Sequence, residues 1–125
     1  MGEKIRFHTD LEVFQLAFNA AMQIYDMTKS FPRGETTSLV DQIRRSSRSV
    51  CANLSEAWRR RRYRAAFCNC LNHVEAEAAE TQVWLDYALR CEYINENTHA
   101  SLNDKYDHII SMIVNMITNP EKWAW

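Results

Sequence analysis

Residues 67–88 read FCNCLNHVEAEAAETQVWLDYA, and this stretch decides the fold. Phe67, Leu71, Val74, Ala78, Thr81, Leu85 and Ala88 recur at alternating four- and three-residue steps. That is an unbroken heptad pattern of the kind that forms the seam of a left-handed helical bundle. The rest of the chain suits the same architecture. Two glycines and two prolines in 125 residues leave little means of making the many tight turns of a β fold.

Helical spacing extends outward from this seam in both directions. Leu39, Ile43, Val50, Leu54 and Ala57 mark the apolar side of a helix over about 37–61. Before it, Phe14, Ala17, Ala21, Ile24 and Thr28 mark a helix over about 10–30. That helix opens on Thr9-Asp10-Leu11-Glu12, a capping-box pattern in which Thr9 and Glu12 satisfy each other's backbone donors. It stops at Phe31-Pro32-Arg33-Gly34, where proline and glycine forbid continuation. After the seam helix (about 64–92), Leu102, Tyr106, Ile109, Ile113 and Met116 mark a fourth helix over about 97–119. The connections are short, so neighbouring helices are predicted to run antiparallel. The expectation is an all-α, up-down-up-down four-helix bundle forming one domain over residues 1–125. The junction at residues 62–64 has neither proline nor glycine and suits either a tight corner or a partly continuous helix. Trp123 and Trp125, beyond the last helix, are expected to fold back onto the bundle or to dock on a partner.

Composition narrows the function classes. No apolar run approaches the roughly 20 residues of a membrane span. The start, MGEKIRFH, lacks the apolar stretch of a signal peptide, and Arg6 stands where a myristoylation signal has Ser or Thr. A soluble cytoplasmic protein is expected. Cys51, Cys68, Cys70 and Cys91 have no zinc-knuckle spacing, so they read as buried free thiols. A di-iron bundle needs two Glu-x-x-His pairs, and Glu96-x-x-His99 is the single one. Cys70-x-x-His73 lacks further ligands, and His8, His99 and His108 read as ordinary surface residues. No nucleophile triad, phosphate-cradling glycine loop or paired catalytic carboxylates stand out. The expectation is a protein that is not an enzyme, with no cofactor, metal or catalytic residue.

Charge is what singles the chain out. Net charge is −1, yet Arg44, Arg45, Arg48, Arg59, Arg60, Arg61, Arg62 and Arg64 crowd into residues 44–64, with Glu56 the one acid among them. At about 100° per residue the second helix divides into stripes. Arg44, Arg48, Arg59 and Arg62, with Ser55 between them, form a line about 140° from the apolar side. Gln42, Ser46, Ser49, Asn53, Glu56 and Arg60 form a polar flank between the two. An ordinary solvated face mixes signs, whereas this arginine line lacks acids at neutralising i,i+4 positions, apart from the Glu56–Arg60 pair beside it. The guanidinium fork matches phosphate oxygens. RNA or DNA phosphates are therefore the expected partner, without base-specific readout. The polar flank suits registration against Glu77, Glu80 or Gln82 of the third helix, a subunit contact or a ligand pocket. Residues 75–104 hold seven acids and one base, Arg90, so copies could associate head to tail.

These residues also carry a family likeness. Asp10-Leu11-Glu12-Val13-Phe14, Phe31-Pro32 with Glu35 and Leu39, Gln42-Ile43-Arg44-Arg45-Ser46, Ser49-Val50 and Asn53-Leu54-Ser55-Glu56 make up its first half. Arg62, Phe67, Leu71, Glu80-Thr81-Gln82 and Ala88 continue it. Over about residues 10–117 the chain resembles the four-helix-bundle proteins encoded in bacterial 23S rRNA intervening sequences. That family is related to the accessory variability proteins of diversity-generating retroelements. The resemblance implies an up-down bundle assembling as a homopentameric ring, with a basic surface that binds nucleic acid together with a reverse transcriptase. It assigns Arg44, Arg45, Arg48 and the run Arg59, Arg60, Arg61, Arg62 as contacts. Ala57 departs from the family's usual glycine, and Glu75 falls near a usual Gly-Ser.

Overall fold

The computed structural model describes residues 5–123. Four α-helices account for most of them: α1 (Glu12–Thr28), α2 (Leu39–Arg59), α3 (Arg64–Arg90) and α4 (Glu96–Thr118). Three single 3₁₀ turns flank them at His8–Asp10, Arg33–Glu35 and Pro120–Lys122, and the described residues contain no strand.

The seam of α3 is buried along its whole length: Phe67, Leu71, Val74, Ala78, Thr81, Leu85 and Ala88 are all inaccessible to solvent. Leu39, Ile43, Val50, Leu54 and Ala57 of α2 pack with it, as do Leu102, Tyr106, Ile109, Ile113 and Met116 of α4. In α1 Ala17, Ile24 and Thr28 are buried as expected, and two of the five positions shift by one residue, from Phe14 to Val13 and from Ala21 to Ala20. Val13, Ala17, Ala20, Ile24 and Thr28 are buried, while Phe14 and Ala21 lie half-buried on its flank. Apolar neighbours at 13/14, 16/17 and 20/21 give two stripes of equal spacing. Packing against α2 and α4 selects between them.

Helix ends differ from the sequence expectation in their chemistry. The Thr9–Glu12 capping box does not form, because α1 starts from Leu11 with no side-chain cap. Asp10 is used one turn earlier, where its carboxylate accepts from the backbone N–H groups of Phe7 and Arg6 at 3.0 Å each. Those two donors hold the Asp10 carboxyl below the usual carboxylate range. The α3–α4 turn is closed by Tyr93 N–H donating to the Ala88 carbonyl at 2.9 Å, with Glu92 in the left-handed region at φ 65°. Asn95 then caps α4, its Oδ1 accepting from Thr98 N–H at 2.8 Å. The 62–64 junction is a tight corner: α2 ends at Arg59, and Tyr63 N–H donates to the Arg60 carbonyl at 2.9 Å.

Polar side-chain contacts tie the helices together. Thr81 donates to Ser46 Oγ across α2 and α3 at 2.8 Å, and the Ser46 hydroxyl in turn donates to the Ile43 carbonyl at 3.3 Å. Gln82 donates to Asp107 Oδ1 at 2.8 Å, linking α3 to α4, and His99 meets Asp86 at 2.7 Å between the same helices. His99 is thus a paired, half-buried residue rather than an ordinary surface one. His8 likewise packs edge-on against Phe14. The cysteines are free, but only Cys70 is buried; Cys51 and Cys68 are half-buried and Cys91 is exposed. Trp123 packs against the main core, while Trp125 lies outside the described residues. Among the described residues no helix is long and apolar enough to cross a membrane.

Candidate nucleic-acid interface

The eight arginines do not form one surface. The line expected along α2 is broken at both ends, for two different reasons. At its start, Arg44 turns onto α1 and is half-buried. Its guanidinium lies 4.7 Å from the centre of the Tyr25 ring, Nε donates to Thr28 Oγ1 at 2.9 Å, and Nη2 donates to the Tyr25 carbonyl at 3.3 Å. At its far end the helix stops at Arg59, so Arg62 belongs to the corner and not to the helical face.

Arg61 is the sharpest departure. It is only 9% exposed, with its guanidinium 3.8 Å from the centre of the Trp58 ring and Nη1 donating to the Trp58 carbonyl at 2.6 Å. Trp58 in turn donates its indole N–H to the Arg6 carbonyl at 3.1 Å. Burial first, then the neighbouring charges of Arg59 and Arg62, lowers the Arg61 pKa. Arg61 therefore serves the corner's structure. Arg60 is paired with Glu56 at 2.8 Å, an exposed i,i+4 bridge worth only a few tenths of a kcal/mol.

Five arginines remain. Arg45, Arg48, Arg59, Arg62 and Arg64 are exposed, and among the described residues no carboxylate lies within ion-pairing distance of them. Arg48 reaches toward Tyr25, 6.0 Å from its ring centre, while Arg59, Arg62 and Arg64 crowd the corner. There α3 begins with no side-chain cap and no acid in its first turn, so the positive end of its dipole adds to the arginine charge. Tyr25 and Trp58 are intramolecular partners of the arginines that charge counting missed. Trp58 announces itself by standing one residue before the arginine run. Tyr25 has no local signal, because it meets α2 only through the tertiary fold.

The polar flank is divided in the same way. Ser46 faces α3 through Thr81, whereas Asn53 folds back on the Ser49 carbonyl at 2.8 Å. Gln42 lines a shallow pocket of about 240 Å³ with Trp84, Tyr87 and Glu35. Glu80 accepts from Trp84 Nε1 at 3.5 Å, within its own helix. Gln82 registers α3 against α4 rather than α2. Burial and the charge of Glu80 raise the Glu77 pKa, with His73 and Arg45 opposing them.

The model of the 23S rRNA-intervening sequence protein family matches residues 9–115. The chain belongs to that family. The matched span runs from the turn before α1 almost to the end of α4, so it takes in every arginine of the cluster. Among solved structures, a family-level relative comes from Bacteroides thetaiotaomicron. It is described as a protein of unknown function from the S23 ribosomal protein family. It is 31% identical over 85% of this chain and 95% of its own, with a TM-score of 0.76. A search of curated proteins finds no match. For this member of the family, the structure divides the cluster into three arginines bound within the subunit and five presented outward.

That division is testable by stability. Arg61→Gln is expected to cost about 1–2 kcal/mol. A charge-assisted hydrogen bond and a ring contact are lost, and relief of burial and of like-charge repulsion offsets only part of this. Arg62→Gln, one residue away and exposed, is expected to stay within about 0.5 kcal/mol of wild type. Equal urea midpoints for the two variants would show that Arg61 is not structural.

Proposed function

We propose that this protein is a non-enzymatic, oligomeric accessory factor that binds RNA or DNA phosphates and serves a nucleic-acid-processing partner such as a reverse transcriptase. One observation carries this: five exposed guanidinium groups with no carboxylate at ion-pairing distance among the described residues. Their forks fit phosphate oxygens. Nothing in the cluster is shaped to read base edges, so binding is independent of sequence. In this proposal the helices run antiparallel. Support comes from contacts that join the start of one helix to the end of the next, such as Cys68 near the start of α3 to the Ile117 carbonyl near the end of α4, and from the Trp58 indole at the end of α2 donating to the Arg6 carbonyl ahead of α1. The copies close into a homopentameric cytoplasmic ring, bringing five arginine clusters into one particle. The relationship with retroelement accessory proteins belongs to the same proposal.

The test is a salt titration. Five phosphate contacts per subunit should weaken binding to a duplex or single-stranded oligonucleotide by on the order of a hundredfold or more between about 50 and 200 mM salt. Affinity that does not change with salt removes the phosphate contacts and the proposal with them.

A second assignment is favoured by a different observation. Phe18 and Met22 on α1, and Val83 and Tyr87 on α3, are large apolar side chains left about half exposed. They suit a protein–protein assembly module whose copies bury them. In that case the arginines pair with the acids between Glu75 and Asp104 of a neighbouring copy, so substituting them breaks the oligomer, and polynucleotide binding stays negligible at every salt concentration.

A further inference from the structure

At the α2–α3 corner a single aromatic ring stands among the outward arginines. Tyr63 is 64% exposed and lies between Arg62 and Arg64 in sequence. Among the described residues neither a ring nor a cation stacks on it. Its backbone, by contrast, is held on both sides. Its N–H donates to the Arg60 carbonyl at 2.9 Å, and its own carbonyl accepts from Phe67 N–H at 2.8 Å. Phe67 is fully buried at the head of the α3 seam. The fold therefore pins the main chain to the core and leaves the ring outside. Only two side-chain torsions remain to be ordered when a ligand covers it.

The charges around the ring select that ligand. A purely apolar protein surface closing on Tyr63 would have to strip water from Arg59, Arg62 and Arg64 without replacing it, which is costly. A second copy presenting the same corner would bring like charge onto like charge. A polynucleotide offers a flat aromatic face and a flanking phosphate within one nucleotide. A base in a duplex is already stacked on both faces, so only an unpaired base can use the ring.

We infer that Tyr63 is a base-stacking platform, and that the corner of Arg59, Arg62, Tyr63 and Arg64 takes single-stranded rather than duplex nucleic acid. This rests on the phosphate-binding function proposed above and adds the strandedness of the ligand to it. RNA and DNA share the chemistry, so both enter the test.

The experiment measures fluorescence anisotropy with oligothymidylate and oligouridylate of about fifteen nucleotides and with a DNA duplex of the same length. Wild type, Tyr63→Phe and Tyr63→Ala are compared at one salt concentration. The wild type should prefer the single strands. Tyr63→Ala should weaken both single strands on the order of tenfold, with the duplex changed by less than about twofold and Tyr63→Phe close to wild type. A similar loss on both single strands assigns the platform to the base, and a loss on one alone assigns it to RNA or to DNA. If Tyr63→Ala binds single strands as well as wild type does, the platform is overturned while phosphate binding stands. If wild type binds none of the three probes, the parent proposal falls too. A loss that accompanies a changed sedimentation profile places Tyr63 in a subunit contact and overturns the inference.

Discussion

Replacing Arg59, Arg62 and Arg64 together with glutamine is expected to weaken polynucleotide binding about a hundredfold near 0.1 M salt, with the fold intact. Each phosphate contact contributes about 0.7–0.9 units to the slope of log affinity against log salt, so three lost contacts lower that slope by about 2–3 units. The fold should not suffer, because all three side chains are exposed and among the described residues no carboxylate is paired with them. Removing Arg59 and Arg62 also relieves the like-charge pressure on Arg61. Anisotropy titrations over a salt series give the slope, and a urea melt gives the stability. A reduced affinity with an unchanged slope would mean that the substitutions act through something other than phosphates. A collapse of the oligomer with no polynucleotide signal in the wild type would favour the assembly module.

Phe67→Ala should have the largest effect on the fold. The ring is fully buried where the α3 seam begins, immediately behind the arginine corner. Removing it costs the transfer free energy of the lost carbons and leaves a cavity, together about 3–5 kcal/mol. That is a large share of the 5–15 kcal/mol typical of a whole domain. Phe18→Ala is the control. Half of that side chain is already exposed, and it stacks only on Phe14 at a ring distance of 6.0 Å. It should cost less than about 1.5 kcal/mol. Denaturant midpoints of the two variants compare them directly, and equal losses would contradict the burial pattern. The backbone N–H of residue 67 still donates to the Tyr63 carbonyl in the variant, but the cavity lies directly behind the corner, so the corner should loosen before the far end of the bundle.

The heptad in α3 was fully legible, since every seam position is buried. A strict seven-residue repeat over three heptads keeps one face in register along the whole helix, and isolated apolar neighbours such as Cys70 and Trp84 do not form a second stripe of that length. In α1 the periodicity was visible but its phase was not. Val13 beside Phe14 and Ala20 beside Ala21 gave two stripes of equal spacing, and only packing against α2 and α4 chose between them. Helix starts were less legible still. Thr9, Asp10 and Glu12 all have the right chemistry for a cap, yet Asp10 is used by the turn formed at His8–Asp10.

What the sequence determined alone was the helical architecture and the density of positive charge at residues 44–64, because periodicity and charge count are local properties. Which guanidinium groups remain available was decided by tertiary structure. Arg44 is engaged by Tyr25 and Thr28, brought against it from another helix. Arg61 is engaged by an indole and by a carbonyl left free where α2 ends. A guanidinium is taken up by whatever ring or acceptor the fold places within about 4–5 Å of it, and that neighbourhood is not written in the spacing of the arginines.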